Sequence, residues 1–257
     1  MILVLIILAL GAIWWCHLSS WSRKFRYPLS ARILMYHMID NPETPINKPA
    51  LAVSPKQFER QIRWLRKKGW HFATIHELLN NDFPKKTVAI TFDDGYLNNF
   101  TYALPILIKY QAKATLYLIA DREPSTQSIN PSYKLLKDRQ IKEMILSNLV
   151  ELGAHTVTHR NLLSLDEHTQ KHELVEGKKI LEKRFGQTIH SFAYPYGGFD
   201  KAISLMVKDA GYESAVTTKK GISKNLKTEK YQIRRIRISG NDNLRRFKIR
   251  LKTGKKR

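Results

Sequence analysis

Short apolar runs alternate with amphipathic stretches along most of this chain, and no other feature restricts its fold as tightly. Ile33-Leu34-Met35-Tyr36 reads as a buried strand. The runs at 87–92 (TVAITF), 114–120 (ATLYLIA), 149–154, 191–193, 214–218 and 231–239 read the same way. Ser54-Pro55 opens a helix, since serine suits the N-cap and proline the first turn. Phe58, Ile62 and Leu65 give that helix an apolar stripe, and Gly69 ends it. Further helical patterns cover 102–110, 139–146, 166–185 and 200–210. Strands alternating with helices predict a parallel sheet with crossover helices. So many units in one domain predict an α/β fold closed, or nearly closed, into a barrel. In such barrels the reactive groups sit at the C-terminal strand ends.

Those ends carry chemistry here. The first strand finishes at His37, and TVAITF at Asp93-Asp94-Gly95-Tyr96. LVELGA finishes at His155-Thr-Val-Thr-His159, and SFA at Tyr194-Pro195-Tyr196-Gly197-Gly198. Two carboxylates, three histidines and a glycine-rich turn are thereby directed to one rim. Adjacent carboxylates raise one another's pKa unless a cation intervenes. A divalent metal on one of them would leave the other as a general base. Asp-Asp-Gly is also good turn chemistry, so the pair alone is balanced between the two readings. His155 and His159, four apart, can converge on one ion. With one carboxylate they make a three-ligand site with positions open for water and substrate.

Other histidines read differently. His168 and His172 repeat the four-residue spacing but lie in a polar helix beside Glu167, Lys171 and Glu173, as a solvated face. His71, His76 and His190 sit near element ends without nameable partners.

The first 16 residues carry no charged side chain. The run is slightly short of the roughly 17–25 residues of a membrane span, and residues 17–21 extend it to the interface. It predicts an uncleaved anchor helix over 1–21, with a cleaved signal peptide as the alternative, followed by a basic linker over 22–32, a catalytic domain over 33–240 and a basic tail over 241–257. The positive charges that follow the anchor favour a cytoplasmic body by the positive-inside tendency. The formal charge of +22 implies an anionic neighbour, most economically the membrane surface. No nucleic-acid motif accompanies it, so nucleic acid is not expected as a partner. Cys16 is the single cysteine, which excludes an internal disulfide and a thiolate metal cluster.

Together TFDDGY, HTVTH and FAYPYG resemble the polysaccharide deacetylase family, the NodB-homology domain of carbohydrate esterase family four. The early MYH resembles more specifically the branch acting on biofilm poly-β-1,6-N-acetylglucosamine. The resemblance implies a distorted (β/α)7 barrel. It implies Asp93 as the base that activates water, and Asp94, His155 and His159 as ligands of a divalent metal, usually Zn2+, with Co2+ or Ni2+ accepted. It further implies the backbone N–H of Tyr196 as oxyanion donor and His37 as general acid with a raised pKa. The family's polymeric substrates place the domain outside the cytoplasmic membrane, against the charge asymmetry. A partner glycan synthase or export protein would fit that setting.

One departure stands out. Much of the family opens the third motif with an arginine that orients the base, and here that place is Ala193. Arg235 or Arg237, on YQIRRIRIS, is the candidate substitute; a basic strand facing solvent or lipid is the alternative, and so is reduced activity. Tyr194, Pro195 and Phe92 are candidates to line the sugar cleft, or to pack in the core. Three functional readings follow: a deacetylase of an N-acetylglucosamine polymer, a deacetylase of a lipid-linked amino sugar or cell-wall glycan, and a non-catalytic glycan- or membrane-binding protein.

Overall fold

The computed structural model describes residues 30–40, 49–80, 82–121 and 133–255. The expected anchor over 1–21 and most of the linker lie outside the described residues. Among the described residues, no helix is long and apolar enough to cross a membrane.

Seven parallel strands close on themselves in chain order: β1 (Arg32–Tyr36), β5 (Thr87–Phe92), β6 (Ala114–Leu118), β7 (Val150–Ala154), β8 (Ser191–Ala193), β9 (Ser214–Lys220) and β10 (Ile233–Arg237). β1 pairs with β5 on one side and with β10 on the other, which completes the ring. The ring is uneven. β7 and β8 share only the Ala154–Phe192 register pair, and β10 slips against β9 between Ile233 and Arg235. Short strands β2 (Met38–Ile39) and β3 (Ala52–Val53) pair beside the rim, while β4 (His71–Phe72) flanks β5.

Period two along the strands divides the core. Leu34, Ile90, Leu116, Phe192 and Ile236 pack outward into one apolar cluster with the helices. Ile33, Ala89, Tyr117, Ala193, Val216 and Ile233 form the inner cluster. A side chain at Gly153 would put its Cβ 2.4 Å from Cδ1 of Tyr117, so glycine there lets the Tyr117 ring lie inside the barrel.

The outer helices form where the sequence supplies caps. In α1 (Pro55–Lys67) Ser54 accepts from the Gln57 N–H, and Phe58, Ile62 and Leu65 are buried. The short α2 (Ile75–Asn80) places Ile75 and Leu78 in the inner cluster. α3 (Leu104–Tyr110), α4 (Asp138–Leu146) and α6 (Lys201–Asp209) follow strands β5, β6 and β8. Asp166 caps α5 (Glu167–Phe185) through the Thr169 N–H, and left-handed Gly186 ends it.

Both ends of the expected domain need correction. Arg32 belongs to β1 rather than to a linker: it is buried, and its Nε donates to the Leu251 carbonyl at 2.8 Å. The stretch read as a basic tail contains α7 (Leu244–Thr253), capped by Asn243, with Phe247 and Leu251 buried in the core. Phe247 meets Trp64 of α1 edge-on at 6.3 Å. The apolar positions of α7 are diluted by five basic residues, which masks them in a reading by composition.

Candidate active site

β5 delivers Asp93 and Asp94 side by side, yet their surroundings differ. Asp93 continues the inward alternation of Ala89 and Thr91. There Arg235 of β10 meets it in a bidentate pair, Nη1 to Oδ1 at 2.6 Å and Nη2 to Oδ2 at 2.7 Å. The same guanidinium donates to Thr91 Oγ1 and to the Thr217 carbonyl, each at 3.0 Å. Burial pushes the Asp93 carboxyl up, but the charge and hydrogen bonds of Arg235, with the nearby His37 and His155, together outweigh it and hold it below the usual carboxylate range.

Asp94 adopts φ 74°, in the left-handed region, which turns its side chain away from Asp93. It faces His155 and His159, whose Nε2 atoms each lie 3.4 Å from Asp94 Oδ1. All three are buried, and their ligand atoms fall within 4.8 Å of one another. The His155 Nδ1–H donates to the Ala193 carbonyl at 2.6 Å, which leaves Nε2 directed at Asp94. Burial would lower the His155 pKa, but Asp94 and Asp93 outweigh it and raise it. Burial and the His155 charge push His159 down to about 4, so its imidazole is neutral at neutral pH.

The loop between the two histidines is held from α5. Glu173 Oε2 accepts from the N–H groups of Val157 at 2.8 Å and Thr158 at 2.9 Å, and the Thr158 hydroxyl donates to Oε1. Thr156 and His159 sit at φ 67° and 60°. Non-glycine residues in this region collect where the surrounding structure over-determines the backbone. The final turn shows the same pattern. Tyr196 sits at φ 58°, followed by Gly197 at φ 76°, where a Cβ would lie 1.9 Å from Thr218 Oγ1.

The other expected site residues divide. Tyr196 is 55% exposed, with its ring 4.8 Å from that of His159. Tyr194 does not line a cleft: it is fully buried, stacks on Phe199 at 4.7 Å, and donates to the Tyr231 carbonyl at 3.0 Å. Pro195 and Phe92 are buried too, and Phe92 packs between Tyr36 and Phe58. Period two points Tyr194 away from the barrel axis when Ala193 points in, and Tyr194 and Phe92 take the core-packing alternative. Of the two candidate arginines it is Arg235, not Arg237, that pairs with Asp93. His37 ends β1 on the same rim, half-buried. Its pKa is lowered, not raised as expected, because burial and the charges of Arg235 and Arg237 outweigh the pull of Asp94 and Asp93.

Sequence reasoning missed Glu173, which lies one residue beyond the solvated His168–His172 pair; both of those histidines are exposed. The adjoining Leu174 and the glycine at 177 mark the buried side of α5. It also missed that His76 and His190 meet, on Glu213, at the opposite end of the barrel.

Comparison with known proteins settles the family. A family model described as polysaccharide deacetylase matches residues 80–215. The chain belongs to the polysaccharide deacetylase family. YxkH of Bacillus subtilis is 32% identical over 226 residues, covering 86% of this chain and 75% of its own. The poly-β-1,6-N-acetyl-D-glucosamine N-deacetylase of Staphylococcus aureus is 31% identical over 201 residues, covering 73% of this chain and 68% of its own. The Streptococcus pyogenes deacetylase PplD, solved in complex with acetate, matches with a TM-score of 0.74 at 31% identity, over 84% of this chain and 95% of that one. In this polysaccharide deacetylase all four residues of the Asp-Asp and His-His motifs lie on one rim. The guanidinium on the first carboxylate comes from β10, while position 193 contributes its backbone carbonyl to His155.

Proposed function

We propose that this chain is a divalent-metal-dependent hydrolase that removes the acetyl group from an N-acetylated amino sugar, with polymeric N-acetylglucosamine as the substrate. The carrying observation is the division of labour between adjacent carboxylates. Arg235 occupies both oxygens of Asp93, while Asp94 faces two imidazoles.

The donor set fits a metal ion. The two 3.4 Å separations are longer than a good N–H···O hydrogen bond of about 2.7–3.2 Å. Two ligand atoms bound tetrahedrally at about 2.0–2.1 Å from zinc lie about 3.3–3.4 Å apart. Asp94, His155 and His159 would hold the ion. When bound, it supplies Lewis acidity, acidifying a water molecule and polarising the acetamide carbonyl.

The chain's own residues do the rest. Asp93, ionised and fixed by Arg235, takes the proton of the attacking water as its oxygen bonds to the carbonyl carbon. The Tyr196 N–H donates to the oxygen on which charge develops. His37 delivers a proton to the nitrogen as the C–N bond breaks, yielding acetate and a free amine. Burial and the charges of Arg235 and Arg237 lower its pKa against the pull of Asp94 and Asp93, so that once protonated it is a stronger acid than a free imidazolium.

The setting we propose is extracytoplasmic, on the apolar segment over 1–21, with the basic surface against anionic headgroups. Support comes from the length of that segment, the +22 charge and the Staphylococcus aureus relative. The test is acetate release from β-1,6-N-acetylglucosamine oligomers, cell-wall glycan fragments and lipid-linked N-acetylated sugars. The expected result is acetate from the oligomers, loss on chelation, and recovery on adding Zn2+ or Co2+. Release that survives chelation and Asp94→Ala contradicts the mechanism; release from only the other substrates contradicts the assignment.

A further inference from the structure

At the barrel end opposite Asp94, three potential ligands from distant parts of the chain converge. His190 and Glu213 immediately precede β8 and β9, and the Glu213 N–H donates to the His190 carbonyl at 2.8 Å. His76 arrives from α2, its backbone N–H donating to Glu151 Oε2 of β7 at 3.2 Å. The His76 and His190 rings stack with centroids 3.7 Å apart and planes 26° apart. Both Nδ1 atoms reach the Glu213 carboxylate, at 3.1 Å to Oε2 and 2.9 Å to Oε1. Among the described residues, only this trio and Asp94-His155-His159 bring three such ligand atoms within 4.8 Å.

Asn80 Nδ2 lies 3.0 Å from His76 Nδ1 and donates to Glu213 Oε2 at 3.2 Å, so the amide closes the cluster on the α2 side. With both imidazoles neutral and Nδ1 unprotonated, His76, His190 and the Glu213 carboxylate can each offer a lone pair to a cation between them. His76, His190 and Glu213 have side chains 34%, 27% and 44% exposed, so a cation can enter and keep water in its remaining positions.

We propose that His76, His190 and Glu213 form a second divalent-metal site, of the Zn2+, Co2+ or Ni2+ class that two imidazoles and a carboxylate favour. It lies outside the catalytic rim. β8 has only three residues, so at roughly 3.3 Å per residue about 10 Å of strand separates His190 from Ala193, the carbonyl partner of His155. The ion would act as a staple. It would fix α2, which packs Ile75 and Leu78 into the inner cluster, to the entries of β8 and β9, the former lying on the thin β7–β8 seam.

The test counts metal on the untagged full chain, stripped with chelator and reloaded with Zn2+. Two equivalents are expected for the wild type, one for Asp94→Ala, one for His190→Ala and none for the double variant. Zn2+ should raise the melting temperature of Asp94→Ala but not that of the double variant. His190→Ala should retain acetate release. If His190→Ala fails to fold, His76→Gln and Glu213→Gln serve, with circular dichroism to confirm the fold. One equivalent in the wild type with none in Asp94→Ala overturns the proposal. So do two equivalents persisting in His190→Ala, or in both substitute variants. The count in Asp94→Ala does not depend on substrate, so failure here is distinct from failure of the deacetylase reading.

Discussion

Asp93 and Asp94 are adjacent in sequence and chemically opposite in surroundings, and a single guanidinium makes the difference. Arg235 offsets the desolvation of Asp93 and keeps it ionised. A general base works only when ionised, so its activity falls as pH drops through its pKa. Arg235→Gln removes the offset and leaves burial to push the carboxyl up. The acid limb of the kcat/KM profile should then move to higher pH by about 1–3 pH units, with Arg235→Lys intermediate. An unmoved acid limb with unchanged activity would mean that Arg235 does not set the base. This residue marks the limit of sequence reading. Period two places Arg235 and Arg237 on the same face of β10, and only register separates them. Ile236 is level with Leu34, and Leu34 with Ile90, so Arg235 starts below the rim and its long side chain rises to Thr91 and Asp93.

At the scale of elements, the ligand loop depends on α5. Glu173 closes the polar first two turns of α5, yet it is buried and accepts from two consecutive backbone N–H groups between His155 and His159. Partners that orient ligands typically contribute about 10–100-fold in metal affinity. Glu173→Gln keeps one acceptor, and Glu173→Ala keeps none. Metal affinity at the Asp94 site should therefore fall by about 10–100-fold in the alanine variant and less in the glutamine variant, measured by competition with a chromophoric chelator. Equal affinity in all three proteins would contradict this support role. Most of the barrel strands were legible as short apolar runs ending in a turn or a polar residue, and β10 by its β-branched isoleucines among arginines. The candidate ligands after them were legible because polar residues gathered at strand ends stand apart from the apolar runs of the core. Glu173, and the meeting of His76 with His190, were not. Their partners lie more than a dozen residues away in sequence, and periodicity within one element carries no signal of contacts between elements.

For the whole molecule, closure rests on β1 joining both β5 and β10, with α7 packed where the ring shuts. Buried Arg32 at that seam donates to the Leu251 carbonyl, and burial lowers its pKa to about 10. Arg250 closes the entry to α7 by pairing with Asp242 at 2.7 Å. The C-terminal segment is therefore part of the barrel's support, although its charge suggested a tail. Phe247→Ala should destabilise the domain by about 3–5 kcal/mol, as for other buried phenylalanines, read from the denaturant midpoint. A solvated tail would instead give a change near zero. The Asp94 site lies at one end of this barrel and the His76-His190-Glu213 cluster at the other, so metal content and stability can be read separately from chemistry.

The most direct test of the central claim is Asp93→Asn, assayed for bound metal and for acetate release on the same sample. In the proposed mechanism Asp94, His155 and His159 bind the metal and Asp93 abstracts the proton. The variant should therefore keep the metal content of the wild type, with acetate release lowered by about 10²–10⁴-fold. Undiminished release, or loss of the Asp94-site metal together with the activity, would contradict it.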